Sequence, residues 1–533
     1  MLSSNPILIS HAVPEYKAKG DKLHNDLSAL WAILTAVVGD KRCGPVICVI
    51  DALDECSNPS RALLIKKLYD YYSGPSNQDS GTLKMLITSR PYSSIVSSLP
   101  FSRLEMESET EATTRDVERF LKCRTKQICL EKGVSDNVRQ SLEQRLLGHD
   151  NRTFLWASLV LQMIQDSEAA SQNSLDEMCD TILTTTNAIF LRTLERSTNS
   201  EKARTIPHPV VAAARPLSLA ELNVAFSIRL SDQSYQGLDL EPEFERTVRS
   251  LCGLLVRVLE SRVYLVHRTA KEFLVTPDGQ KTIMPWKQSL DPVQSNAILA
   301  ERCIWFLMLS DFETHPLEYR PIKDQVKHSK DPHRYDHIHK YMQKFTFLSY
   351  AACFWATHFR KADIQKTSPL MQLSSTICNT LSGRFRTWWQ IYWLQSQERT
   401  LCPMYYTELL VRSFFGHVIA ARLLLDSGTD VNSRVGDAAV STTALHEAAT
   451  AGHVEVVQLL LDRGADLSAR SGLGATALFQ AAAAGQDRVV TVLLDAGSDI
   501  ETRNDLGMPI ILWPALCGHD ITLRVLLSRG ADV

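Results

Sequence analysis

Four segments near the carboxyl terminus repeat one another: GHVIAARLLLDSGTDVN from Gly416, GHVEVVQLLLDRGADLS from Gly452, GQDRVVTVLLDAGSDIE from Gly485 and GHDITLRVLLSRGADV from Gly518. Their leading glycines are 36, 33 and 33 residues apart (452 − 416, 485 − 452, 518 − 485). No other feature constrains the fold as much. A period of this length means one supersecondary unit copied and stacked, because a single copy cannot bury its own apolar face. Each copy has the apolar pattern of a short helix, Val456, Val457, Leu459, Leu460 and Leu461 in the second, followed by a glycine able to end it in the left-handed conformation. A second short helix is predicted about nine residues before each leading glycine.

The copy TALHEAATAGHVEVVQLLLDRGADLSAR resembles the ankyrin repeat, with Thr443 and His446 at the turn-bracing positions and Ala444 where that family usually has proline. The resemblance covers residues 401–533, about four repeats. In the last copy Pro509, Leu512 and Pro514 stand where the family expects Thr, His and Ala, which predicts a distorted first helix. Val533 follows an apolar helix without the polar outer face of a terminal repeat, so the sequence is expected to be truncated there, or its end frayed or covered. A stack of this kind presents an extended concave face, and fold analogy makes its expected use the gripping of a protein ligand. That ligand would meet loop tips near Asn432 to Thr442, Ser468 to Ala475 and Glu501 to Met508.

Length and composition set the outer bounds. At 533 residues the chain predicts three or four units. With 44% hydrophobic and 22% charged residues it reads as globular, and a net charge of -3 gives no footprint for nucleic acid. No apolar run approaches the ~20 residues of a membrane span, and the amino terminus lacks a basic region followed by an apolar core. The expected location is therefore cytoplasmic. Twelve cysteines without a CxxC pair argue against a disulfide framework and a zinc knuckle, and most are expected to be small core residues.

The chemistry concentrates in VICVIDALDEC, Val46 to Cys56. Val46 to Ile50 is continuously apolar rather than alternating, which fits a parallel strand buried on both faces, and ligands of such sheets sit beyond the strands' carboxyl ends. Asp51 falls there and would hold Mg²⁺ bound to a nucleotide, while Asp54 or Glu55 could position and activate a water against the terminal phosphate. A helix follows, with Asn58-Pro59 at its start, Leu63, Leu64, Lys67 and Leu68 along it, and Gly74-Pro75 as a stop. LKMLITSR, Leu83 to Arg90, supplies a second strand, whose Arg90 would point into the same crevice as Asp51. The plain alternative is a buried strand ending in a solvated acidic turn.

VICVIDALDEC is similar to the Walker B segment of fungal NACHT-type NTPases, and KMLITSRP resembles their sensor strand. These belong to the STAND signalling ATPases, relatives of the NOD-like receptors. The resemblance implies ATP or ADP with Mg²⁺ as cofactor, Asp51 as the magnesium position, Asp54 and Glu55 as catalytic water-activating acids, and Arg90 as the phosphate sensor. Ala52 stands where many relatives outside fungi have glycine.

No GxxxxGK[ST] occurs in the 533 residues, and the 45 residues before Val46 are too few for a P-loop strand, its helix and the intervening strand. Each charge-assisted bond of such a cradle is worth about 1.5–3 kcal/mol, and micromolar binding totals about 8 kcal/mol. The chain alone is therefore expected not to be a working ATPase. A truncated gene is the simpler expectation, with Val46 to Ile50 left unpaired on one side.

In the middle of the chain GHDNRTFLWASLVLQMI, from Gly148, resembles the helical lid of the same family, with Asn151-Arg152-Thr153 near the family's glycine. ARPLSLAELNVAFSI is a capped helix start with Ser218 as N-cap and Glu221 completing a capping box, and it resembles the opening of a winged-helix module. LCGLLVRV and VYLVHRTAKEFLV read as a hairpin followed by a helix that closes the module. The resemblance makes His267 the analogue of a histidine that senses bound diphosphate, and the alternative is a packed histidine satisfied by backbone. HSKDPHRYDHIHKY sets His333 and His337 at the spacing of helical metal ligands, with Asp336 and His339 nearby. No acid completes that set, and Asp331-Pro332 reads as an ordinary helix start. Phe345, Leu348, Ala352, Trp355 and Phe359 keep one helical face apolar, and with RFRTWWQIYW from Arg384 this is expected to be core and adaptor, similar to the helical linker before the repeats of fungal NACHT proteins.

The expected architecture is multidomain: a partial α/β P-loop NTPase (NACHT) domain over residues 1–110, a helical lid over 111–170, a winged helix over 171–280, a helical linker over 281–400 and an all-α ankyrin solenoid over 401–533. The family resemblance implies a signalling protein whose repeats bind a protein ligand and whose NACHT module is an ATP/ADP switch that drives homo-oligomerisation, with fungal non-self recognition as its setting. The rival is a non-catalytic ankyrin adaptor carrying a NACHT remnant. An unrelated hydrolase is set aside, since neither GxSxG nor HExxH occurs.

Overall fold

The computed structural model describes residues 6–19, 23, 26–40, 42–51, 53, 56, 58–73, 83–89, 111–149, 153–167, 186–195, 205–275, 286, 288–317, 336–395, 406–435, 441–472 and 474–532. It falls into two compact units, Met1–Thr110 and Glu111–Val533.

In the first unit, helices Val13–Lys19 and Leu27–Val38 precede strand β1, Val46–Ile50. Asp26 caps the second of them by accepting from the Ala29 amide at 2.9 Å. The helix Asn58–Ser73 then crosses over to β2, Leu83–Ile87, which pairs parallel with β1 from Val46↔Leu83 to Ile50↔Ile87. The crossover helix packs Leu64 and Ile65 with Leu53 and Ile87. The expectation of burial on both faces is corrected here. Ile47, Val49 and Leu86 are 70%, 61% and 55% exposed, because among the described residues only one face of the strand pair is covered. A run of five apolar residues carries no alternation to say which face that is.

The second unit begins with three helices, Glu111–Glu131, Asp136–Leu147 and Phe154–Asp166, the last capped by Thr153 through the Trp156 amide at 3.1 Å. Next comes the helix Leu219–Ser227, whose capping box is complete: Ser218 Oγ accepts from the Glu221 amide at 3.1 Å, and Glu221 Oε2 accepts from the Ser218 amide at 2.8 Å. Strands β3, Val256–Leu259, and β4, Arg262–Leu265, form the expected antiparallel hairpin. Its two turn residues, Glu260 and Ser261, have φ of 48° and 60°, the hand that a two-residue hairpin requires. Helix Arg268–Leu274 follows.

Helices Pro292–Leu307, Leu348–Lys361, Pro369–Ile377 and Gly383–Gln395 form the adaptor. Phe345, Leu348, Ala352, Trp355 and Phe359 are all buried in it, as are Trp388 and Trp389. The Trp388 indole N–H donates to the Ile377 carbonyl at 2.8 Å, so the ring is satisfied as well as packed. One continuous apolar core runs from the three opening helices through the hairpin region and adaptor into the repeats.

The repeats pair inner helices Glu408–Phe415, Ala444–Ala451, Ala477–Ala483 and Leu512–Cys517 with outer helices Val418–Asp426, Val454–Asp462, Asp487–Asp495 and Asp520–Ser528. Gly452 shows why the leading residue must be glycine. Its φ is +79°, and a Cβ there would lie 2.3 Å from Gln486 Oε1 of the next repeat. The last inner helix has 6 residues against 8 in each of the first two, as the prolines predict, since Pro514 within it has no amide to donate. The cysteines differ from expectation: of ten described, only Cys129, Cys252, Cys303 and Cys378 are buried. Cys56, Cys123 and Cys517 occupy exposed turn and helix positions, which a small side chain can do at little cost.

Candidate functional site

The parallel pairing continues past both strands. The Thr88 amide donates to the Ile50 carbonyl at 2.9 Å, and the Leu53 amide donates to the Thr88 carbonyl at 2.9 Å. This ladder sets Asp51 beside Thr88 at the carboxyl ends of β1 and β2, with the wholly buried Leu53 anchoring the turn between them. The Thr88 hydroxyl donates to Asp51 Oδ1, which tethers an exposed carboxylate at this edge. Motif reading overlooks Thr88; the only signal for it is a hydroxyl one residue beyond the second strand. Asp54, Glu55 and Arg90 lie outside the described residues.

A carboxylate and a hydroxyl are hard oxygen donors, and they suit Mg²⁺ better than a softer metal. They fit the cation of a magnesium nucleotide. For the phosphates, the sequence offers no GxxxxGK[ST], so the residues present fit only that half of the cofactor.

His267 belongs to the second unit, where it is exposed and caps the helix Arg268–Leu274. Its Nδ1 accepts from the Thr269 amide at 3.2 Å and lies 3.0 Å from the Thr269 hydroxyl. Of the histidine-rich stretch, His333 lies outside the described residues, and His337 and His339 sit on helix Asp336–Lys344. Among the described residues no group of three or more His, Cys, Asp and Glu side chains is placed to hold a metal ion.

The repeat array is held by a bond that recurs at one position. After the second and third leading glycines the next residue reaches back to a carbonyl of the preceding inner helix: His453 Nε2 donates to Phe414 O at 3.0 Å, and Gln486 Nε2 to Thr450 O at 3.2 Å. The same position in the first repeat, His417, donates from Nε2 to Ala356 O at 2.9 Å, in the adaptor helix Leu348–Lys361. Burial, and then the charge of Arg412, push the His417 pKa well down, so its ring is neutral. Arg412 strengthens the joint. Wholly buried, it pairs with Glu408 at 3.0 Å and donates to the hydroxyls of Ser374 at 3.0 Å and Ser375 at 3.2 Å on the adaptor. Sequence reading missed both residues; the one available hint was an arginine inside the apolar stripe ELLVRSFF.

Within the second repeat Thr443 and His446 brace the turn as expected. The Thr443 hydroxyl lies 2.8 Å from His446 Nδ1, and His446 Nε2 donates to the Ala475 carbonyl at 3.1 Å. Side chains also fix the loop tips to each other: Asn432 donates to Gly464 O at 3.1 Å and accepts from the Asp466 amide at 2.8 Å, while Arg470 donates to both Gly474 O and Arg503 O at 2.8 Å. Such tips offer a partner a preformed edge. Residues 436–440 and 473 lie outside the described residues. Among the described residues no helix is long and apolar enough to cross a membrane.

Three stretches match known families. Residues 1–90 match the Nephrocystin 3 N-terminal family, residues 191–283 the winged helix domain of GPI inositol-deacylase, and residues 409–461 and 445–493 the ankyrin repeats. The chain is 29% identical over 293 residues to vegetative incompatibility protein HET-E-1 of Podospora anserina, a match that covers 53% of this chain and 20% of that protein. The aligned part is thus a fifth of the relative's length. With an amino-terminal segment, a winged helix and ankyrin repeats matched in this order, and a fungal incompatibility protein as relative, the chain is similar to the fungal NACHT–ankyrin proteins.

Proposed function

We propose that this protein is a STAND-type signalling protein of fungal non-self recognition, in which the ankyrin repeats take a protein ligand on their concave face and loop tips and the NACHT module is an ATP/ADP switch. The observation that carries this reading is the joint between repeats and adaptor, where His417 bonds Ala356 and the buried Arg412 bonds Ser374 and Ser375. A ligand's pull on the repeats is then passed to the adaptor rather than lost at a hinge. The relative's name, that of an incompatibility protein, supports the setting.

In this reading Asp51 holds the Mg²⁺ of the nucleotide with Thr88 orienting it, Asp54 and Glu55 position water, Arg90 meets the terminal phosphate and His267 reads the diphosphate. Segments 1–110, 111–170, 171–280, 281–400 and 401–533 serve as partial nucleotide domain, lid, winged helix, linker and sensor. The switch works because ligand and nucleotide bind its two states differently, and the open state forms a homo-oligomer. The chain is cytoplasmic in this reading.

A second reading, a non-catalytic ankyrin scaffold, is favoured by the lack of GxxxxGK[ST] in the sequence. Calorimetry of the full chain with MgADP and MgATP separates the two. Affinity in the micromolar range, about 8 kcal/mol, that is lost in Asp51→Ala supports the switch. A folded chain that gives no heat with either nucleotide is a scaffold.

A further inference from the structure

Where the adaptor meets the first two repeats, a cavity of about 450 Å³ opens, within the size range of small-molecule sites. Its wall is aromatic, with Phe354 from helix Leu348–Lys361, Tyr392 from Gly383–Gln395, and Phe414 and Phe415 from the first inner helix. Its polar groups are cationic or neutral: Arg215 and Arg360 line it, and among the described residues no Asp or Glu does.

The two guanidinium groups differ in what they already bind. Arg215 donates to both oxygens of Glu221, at 2.9 and 2.6 Å, and lies 5.1 Å from the centre of the Tyr350 ring. Arg360 is exposed and meets only uncharged acceptors, the Phe415 carbonyl at 3.4 Å and the His453 ring at 3.2 Å from Nδ1. His453 cannot neutralise it. The imidazole spends its Nε2–H on Phe414 O, and burial followed by the Arg360 charge pushes its pKa down to about 4. Among the described residues, then, Arg360 places a positive charge on an aromatic cavity and no carboxylate forms an ion pair with it. Arg360 and His453 also line a second cavity of about 570 Å³, but Asp363 and Glu455 line that one and disfavour an anion there.

We propose that the cavity between adaptor and repeats binds a small organic anion with a flat apolar body, a carboxylate or a phosphate ester. The anionic group would sit on Arg360 and the Thr357 hydroxyl, which also lines the cavity, and the body against Phe354, Tyr392 and Phe414. An occupant would touch the adaptor and the first two repeats at once, and so would stiffen the joint between them.

The test uses the full chain with 1-naphthoate, 1-naphthyl phosphate and the uncharged 1-naphthamide as probes, followed by calorimetry and saturation-transfer NMR. Binding of at least one anion, about tenfold tighter than the amide, is expected. Arg360→Gln should weaken that anion about tenfold, while Arg360→Lys, which keeps the charge, should weaken it less. A preference for the phosphate ester or for the carboxylate then identifies the source of the ligand. The proposal is overturned if the folded wild-type chain binds neither anion, if the amide binds equally well, or if Arg360→Gln, with an unchanged melting curve, binds the anions as wild type does.

Discussion

Acid should loosen the second unit through its buried histidines, and His358 isolates the effect at one of them. His358 is 1% exposed, with Nε2 2.9 Å from the Tyr350 hydroxyl and Nδ1 2.8 Å from Asn296 Oδ1. The Tyr350 oxygen already accepts from the Ala214 amide at 3.1 Å, so its proton goes to His358 Nε2, and Nδ1–H donates to Asn296. The ring is therefore neutral, and a second proton would face a donor. Burial first, and the charge of Lys361 second, push its pKa from 6.5 down to about 4. The unfolded chain takes up a proton near pH 6.5 and the folded chain only near pH 4. Stability from this group is thus full above about 6.5, falls as pH drops, and levels off below about 4. At about 1.4 kcal/mol per pH unit the whole effect is about 3 kcal/mol, of which about 2 kcal/mol is lost by pH 5. Urea unfolding followed by tryptophan fluorescence reads it, since Trp355, Trp388 and Trp389 are buried in the same core. His358→Gln should be less stable at pH 7.5 but should lose about 2 kcal/mol less than wild type between pH 7.5 and 5. Parallel stability curves for the two proteins would show that His358 does not titrate as argued.

Gly452→Ala should destabilise the repeats by more than 2 kcal/mol or so, combining the left-handed backbone cost with a Cβ placed 2.3 Å from Gln486 Oε1. Gly464→Ala is its control: φ is +80° with nothing within 4 Å, so only the backbone cost of about 1–2 kcal/mol applies, and equal losses in thermal unfolding would contradict the contact. Arg412→Ala should cost about 3 kcal/mol by leaving Glu408, Ser374 and Ser375 without their shared donor, and hydrogen exchange should accelerate first in helix Glu408–Phe415. Thr88→Val frees the Asp51 carboxylate from its tether, so any magnesium-nucleotide affinity measured for wild type should fall about tenfold without a change in melting temperature.

What could be read from the sequence follows what is local or periodic. The repeats announce themselves through their glycines, and the capping box at Ser218 and Glu221 is complete within four residues. The hairpin at Glu260 and Ser261 is bracketed by apolar runs. The features that escaped depend on contacts far apart in the chain. Thr88 matters because the register of the parallel strands β1 and β2 sets it beside Asp51, and the apolar run at Val46 to Ile50, which points to a parallel strand, does not reveal that register. Arg412 and Ser374 are brought together only by folding, and an arginine four residues after Glu408 reads in sequence as an exposed helical pair. The uncovered face of Ile47 and Val49 escaped because five consecutive apolar residues look the same whether one face is packed or two.

A stacked array needs a layer beneath its first unit, and here the adaptor is built to be that layer. His417 treats the helix Leu348–Lys361 as His453 treats the first inner helix and Gln486 the second, with a side-chain N–H to a backbone carbonyl of the layer below. The apolar packing matches the bond. The His417 ring lies 4.8 Å from that of Phe359 and 5.4 Å from that of Trp355, both on the adaptor, and Trp355 also packs against Phe415 of the first repeat. Close-packed rings of this kind do not slide by small amounts; they shift between arrangements or stay put. Any tilt of the first repeat relative to the adaptor must therefore break the His417 bond and repack Trp355 together, which makes the joint a threshold and not a flexible tether.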